Sequence, residues 1–184
     1  MLPILKSCCF SGHRALPPEL VSTLKLELDV TLRRLIADGV SDFYCGAARG
    51  FDTLAASAVL SLKKTYPFIR LHLLLPCRNQ SDFWCEEDRA AFRALLHDAD
   101  TVTCLQEYYT KNCMYARNKA LVAAADCLVC FLKEEKSGTA YTVALAVKQN
   151  KPVLPLGLSD GEQTAFEEKF LSPQLAFFDY TIDA

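Results

Sequence analysis

Six short apolar runs alternate with five longer runs of helical period, and no other feature of this chain constrains its fold as tightly. The apolar runs are Ile4 to Phe10, Asp42 to Cys45, Phe68 to Pro76, Thr101 to Leu105, Cys127 to Leu132 and Pro152 to Leu156. Each has strand length, and turn residues bound most of them. Between the first two runs, Pro17 and Pro18 suit a helix entrance, Val21, Leu24, Leu28, Leu32 and Leu35 recur at helical spacing, and Gly39 ends the series. Further helices are expected from about Asp52 to Lys64, Phe83 to Leu96, Met114 to Ala125 and Thr139 to Asn150. Strands alternating with helices specify an α/β, three-layer Rossmann-like domain with a mainly parallel sheet of about six strands. The 184 residues suit one such domain. After Gly157 a short helix and a terminal extended segment packed on an edge are expected.

Charge and cysteine content narrow the function classes. Lys plus Arg number 20 against 22 Asp plus Glu, a formal net charge of -2 without a long basic block. Nucleic-acid binding through wholesale phosphate neutralisation is thereby disfavoured. The nine cysteines are odd in number and scattered through apolar runs, which fits buried thiols in a reducing cytoplasm. Cys127 and Cys130 have the spacing of a metal or redox pair, but residues three apart on a strand face opposite sides of the sheet. No metal site is expected. The apolar start reaches Gly12, His13 and Arg14 too early for a secretory signal, and no run approaches the ~20 residues of a membrane span.

In a parallel sheet, ligands bind beyond the carboxyl ends of the strands, and the polar and glycine residues concentrate in those loops. After the second strand, "GAARGFD" carries Gly46 and Gly50, which permit close backbone approach, before a helix whose N-terminus attracts anions. Asp52 is expected at the N-cap, where its carboxylate either satisfies the helix amides or meets a ribose hydroxyl. Arg49 beside it is a candidate for anionic oxygens. The loop "SGHR" offers Gly12, His13 and Arg14, "KEEKSGT" offers Ser137, Gly138 and Thr139, and "ARN" places Arg117 and Asn118 near a helix start. Each also has a plain structural reading: a glycine turn, a satisfied core histidine, a serine cap, a solvated side chain. Trp84 with Phe83, and Tyr108 with Tyr109, are candidates to stack on a base, with Gln80 as a polar contact.

Taken in order, "FSGHR", "GAARGFD", "LPCRNQSDFW", "YARN" and "SGTAYTVALA" resemble the YpsA-like branch of the SLOG superfamily, which also contains DprA and the LOG nucleoside phosphoribohydrolases. The resemblance implies a single SLOG-like domain over residues 1–184, with a motif-bearing core at 4–156 and a C-terminal extension at 157–184. It further implies a pocket for a nucleotide-derived ligand of the NAD or ADP-ribose type. Its residues would be Gly12, His13, Arg14, Gly46, Gly50, Asp52, Gln80, Trp84, Arg117, Asn118, Gly138 and Thr139. The chain departs from the LOG signature: Lys136 and Ser137 precede Gly138 and Thr139, and Thr142 stands at the position of the catalytic Glu. It also lacks the G-x-G-x-x-G dinucleotide fingerprint.

These features support a cytoplasmic sensor or regulatory domain for a nucleotide-derived small molecule. The alternative is an enzyme acting at the ribose N-glycosidic bond with Asp52 or His13 as acid or base. Single-stranded DNA binding ranks third, against the charge balance. Whether a reaction is catalysed, and whether the open sheet assembles into a homo-oligomer, are left open. A valine at Gly50 is expected to abolish binding with little loss of stability.

Overall fold

A computed structural model describes residues 5–171. Six strands form one parallel sheet in the order β4-β3-β2-β1-β5-β6. They are β1 (Ser7–Gly12), β2 (Asp42–Cys45), β3 (Arg70–Leu75), β4 (Thr101–Cys104), β5 (Cys127–Phe131) and β6 (Val153–Pro155). The helices are α1 (Pro18–Ala37), α2 (Phe51–Lys63), α3 (Glu86–Asp98), α4 (Cys113–Ala124), α5 (Gly138–Lys148) and α6 (Asp160–Phe166), followed by a π-helical turn at Glu167–Leu171. The expected six-strand Rossmann-like architecture is therefore present, with α6 supplying the short helix after Gly157. The expected terminal extended segment lies outside the described residues, as does Ile4 at the start of the first apolar run.

Two apolar cores sandwich the sheet. One gathers Leu24, Leu28, Leu32 and Leu35 of α1, Ala55 and Val59 of α2, and Phe92 of α3 over Phe10, Phe43 and Leu73. The other gathers Leu121 of α4, Val143 of α5 and Phe166 of α6 over Cys9, Leu128 and Cys130. The thiols divide accordingly: Cys8 and Cys127 are neighbours in the β1–β5 register on the first face, while Cys9 and Cys130 lie on the second.

Strand composition follows position in the sheet. β5, in the interior, is buried at every residue and reads as an unbroken apolar run, because helices cover both of its faces. β3 alternates, burying Leu71, Leu73 and Leu75, and β4 at the edge is exposed throughout. α3 begins at Glu86, three residues later than expected at Phe83. Phe83 and Trp84 belong instead to the preceding turn, with Trp84 N–H donating to Ser81 O at 3.0 Å.

The strand order reverses between β1 and β5. The chain moves outward from β1 to β4 and then returns to the other side of β1, so the loops after β1 and β5 diverge around a crevice. α1 shows how the helical period selects the core. Leu28 is fully buried, whereas Leu26 on the opposite face is 71% exposed. Leu28→Ala should cost about 2–5 kcal/mol in urea unfolding, and Leu26→Ala no more than about 0.5 kcal/mol.

Candidate functional site

A cavity of about 320 Å³ opens in this crevice. Gly12, His13 and Arg14 after β1, Asp52 of α2, Arg117 and Asn118 of α4, and Gly138 and Thr139 at the start of α5 all line it. The sequence brought these residues together from four separate segments. Phe10, Ser11, Ala15, Ala48, Met114 and Glu134 complete the lining. None of these was singled out: Phe10, Ser11, Ala15, Ala48 and Met114 are apolar or small and carry no chemical signature, and Glu134 is one charge in the run "KEEK".

A buried ion pair forms the floor. Arg117 Nη1 donates to Asp52 Oδ2 at 3.3 Å, with side chains only 7% and 5% exposed. The Ala48 N–H donates to the same oxygen at 3.3 Å. Burial pushes the Asp52 carboxyl above its ordinary range, opposed by the Arg117 guanidinium, the Ala48 amide and the charge of Arg14. Among the described residues Arg117 Nε has no hydrogen-bond partner. A buried guanidinium nitrogen without an acceptor carries a desolvation cost.

Gly46 makes this pair possible, because a Cβ there would stand 1.1 Å from Arg117 Nη1. Gly50 serves the backbone. Its φ is +74°, and a Cβ would meet the His13 and Arg14 carbonyl oxygens at 2.5 Å. Gly50 itself, and not Asp52, occupies the N-cap of α2; Asp52 sits in the first turn with its side chain turned inward. A valine at Gly50 would therefore disturb the packing of two loops as well as any ligand, which corrects the expectation of little loss of stability. Gly12 is also a packing glycine, with a Cβ reaching 2.4 Å from Phe51.

His13 joins the two lips of the crevice. Its Nε2 accepts the backbone N–H of Lys133 at 2.8 Å and of Glu134 at 3.1 Å, so the ring is neutral with the proton on Nδ1. Phe131 packs edge-on against it at 5.7 Å, and Phe51 N–H donates to its carbonyl at 3.1 Å.

Other residues expected at the site lie outside the cavity lining. Ser137 caps α5, its Oγ accepting the Ala140 N–H at 3.1 Å. Gln80 donates to Ala47 O at 3.2 Å and steadies a residue with φ of +49°. Trp84 packs edge-on against Phe92, with the Arg49 guanidinium 5.7 Å over its ring and Arg49 also paired with Asp88. Tyr108 and Tyr109 are exposed. Among the described residues no group of three or more His, Cys, Asp or Glu side chains is placed to hold a metal ion, and no helix is long and apolar enough to cross a membrane.

The YpsA family model, described as the YspA SLOG family, matches residues 17–153. The chain belongs to this family. Its relatives include UPF0398 proteins of Shouchella clausii, 30% identical over 154 residues and 82% of each chain, and of Halalkalibacterium halodurans, 28% identical over 134 residues and 71% of each chain. Among solved structures, DNA processing protein A of Helicobacter pylori, described with a single-stranded DNA binding mode, superposes with a TM-score of 0.62 at 22% identity, covering 89% of this chain and 72% of that one. DNA processing protein A of Streptococcus pneumoniae gives 0.64 at 16% identity, covering 95% and 62%. At such identities the likeness is one of fold. The family match begins at Pro17, after the β1 loop, so His13 and Arg14 stand outside it.

The His13 clamp predicts a pH dependence. Burial lowers its pKa below 6.5, with Glu134 partly opposing. Above that value the ring is neutral whether the chain is folded or unfolded. As pH falls below it, the unfolded chain takes up the proton first, and stability is lost until the folded ring is protonated too. Thermal unfolding between pH 7.5 and 5 should show this loss in the wild type, and a His13→Gln variant should lack that part of the slope.

Proposed function

We propose that this chain is a sensor or regulatory domain that binds a phosphorylated, nucleotide-derived small molecule of the NAD or ADP-ribose type in the crevice between β1 and β5. The observation that carries the reading is the buried Arg117 guanidinium, whose Nε lacks a partner among the described residues and which lines a cavity at the N-terminus of α5. Arg14 adds a second cation at the same wall. A helix N-terminus and two guanidinium groups make a setting for phosphate oxygens. Asp52 is the acceptor available to a ribose hydroxyl. The volume lies near the lower end of the ~300–1,000 Å³ of small-molecule sites, which suits a ribose-phosphate unit with the base extending outward.

Asp52 also favours a second reading. A carboxyl raised by burial inside a cavity has the character of a general acid, as N-glycosidic cleavage requires. Against a LOG-type reaction, Thr142 is fully buried and donates to Gly138 O at 2.8 Å, so no acid stands at that position. Single-stranded DNA binding, the property of the Helicobacter pylori neighbour, is a third reading set against the net charge of -2. It predicts steep salt dependence of oligonucleotide affinity.

Calorimetric titration with NAD, ADP-ribose and nucleoside monophosphates, with chromatography for released base, separates the readings. Saturable binding without base release is expected. Arg14→Ala should weaken it about 10- to 100-fold, the loss of a charge-assisted hydrogen bond, with little change in thermal stability. Base release that disappears in Asp52→Asn would establish the enzyme instead. Unchanged affinity in Arg14→Ala would show that the ligand binds elsewhere.

A further inference from the structure

The two edges of the sheet are built differently. β6 has three residues, includes Pro155 and follows Lys151 and Pro152. Short length, proline and charge are the usual devices that keep an edge from pairing with another chain. β4, at four residues, is scarcely longer and follows Asp100, but the strand itself carries neither proline nor charge. Its sequence, with the next residue, is "TVTCL", uncharged, free of proline and rich in β-branched residues, and all four strand residues are exposed. Among the described residues nothing pairs with its outer side.

The backbone on that side has a defined polarity. β4 runs parallel to β3 with His72 opposite Thr101 and Leu75 opposite Cys104, and the Leu105 N–H donates to Leu75 O at 3.0 Å. Alternate residues of a strand direct their N–H and C=O to the same side, so Thr101, Thr103 and Leu105 face β3. Val102 and Cys104 consequently turn theirs outward.

We propose that β4 pairs antiparallel with β4 of a second copy, across a two-fold axis at Thr103. Only this register sets each outward-facing residue opposite another: Val102 meets Cys104 of the partner copy and Cys104 meets Val102, each pair exchanging both hydrogen bonds. Thr103 then lies opposite its own copy as a non-hydrogen-bonded pair, with Cα atoms about 4.5 Å apart. A register centred on Val102 or on Cys104 pairs one of these residues with itself and strands the other. The occupant is a second copy because the strand is complementary to itself in hydrogen bonding and neutral in charge. The exposed apolar strip does not end with the strand: Val102 and Leu105 are 42% and 41% exposed, and Tyr108 and Tyr109 carry it further. The interface lies three strands from the β1–β5 crevice, so both cavities stay open and dimerisation is separable from ligand binding.

Sedimentation velocity of the full chain should show a dimer across a micromolar range. Val102→Lys should shift it to monomer while leaving far-UV circular dichroism and ligand affinity unchanged. In a Cys85→Ser, Cys104→Ser background, Thr103→Cys should form a cross-linked dimer on mild oxidation, since its expected Cα separation falls within the ~4.4–6.8 Å of disulfides. Leu26→Cys on α1, also exposed but off the edge, should not. A wild type that stays monomeric overturns the proposal. So does a dimer that survives Val102→Lys and fails to cross-link through Thr103→Cys, because it would use another face.

Discussion

The structure around the crevice depends on one buried contact, the ion pair between Arg117 and Asp52. Arg117 belongs to α4 on one side of the sheet and Asp52 to α2 on the other, so the pair fastens the two helical layers at the carboxyl ends of the strands. Taking two charges out of water is costly, and removing one partner of such a pair commonly costs about 3–5 kcal/mol. The cost is offset here by the Ala48 amide on the carboxylate, and it remains partly unmet at Arg117 Nε. The same contact thus bears on the architecture and on the proposed anion site.

The glycines are subordinate to that contact. Gly46 gives the guanidinium its place, Gly50 lets the α2 entrance pass beside the β1 loop, and Gly12 lets β1 end against Phe51. Each was noticed in the sequence as a residue that allows a ligand to come close. In the folded chain the close approach is mostly that of the protein to itself. Gly138 differs, since a Cβ there would meet only Asn118 Nδ2 at 3.9 Å, in ordinary contact.

Much of the fold was legible because short apolar runs and helical periodicity are local signals. The boundaries of β2 were readable to the residue, and the leucine series of α1 identified its buried face. Trp84 and Arg49 were not legible as a stacked pair, because an aromatic and a cation after a strand look the same whether they meet a ligand or each other. Nor was the His13 clamp, whose acceptors and donors are separated by 120 residues or more. The residues of the crevice were recognisable as glycines and polar groups after strands. Their partition into those that line the space and those that support it depends on tertiary distances that no local pattern encodes.

The division of thiols between the two cores gives the molecule a built-in pair of probes. Cys85 and Cys104 are exposed, and the other seven cysteines are buried. Burial pushes Cys9 and Cys130 on one face, and Cys8 and Cys45 on the other, well above the ordinary thiol range, so the reactive thiolate is suppressed as well as sheltered. An alkylating reagent can reach them only when the covering helices lift away. Which of these cysteines acquires label first would distinguish a breathing motion of the α1–α3 layer from one of the α4–α6 layer, without any introduced residue.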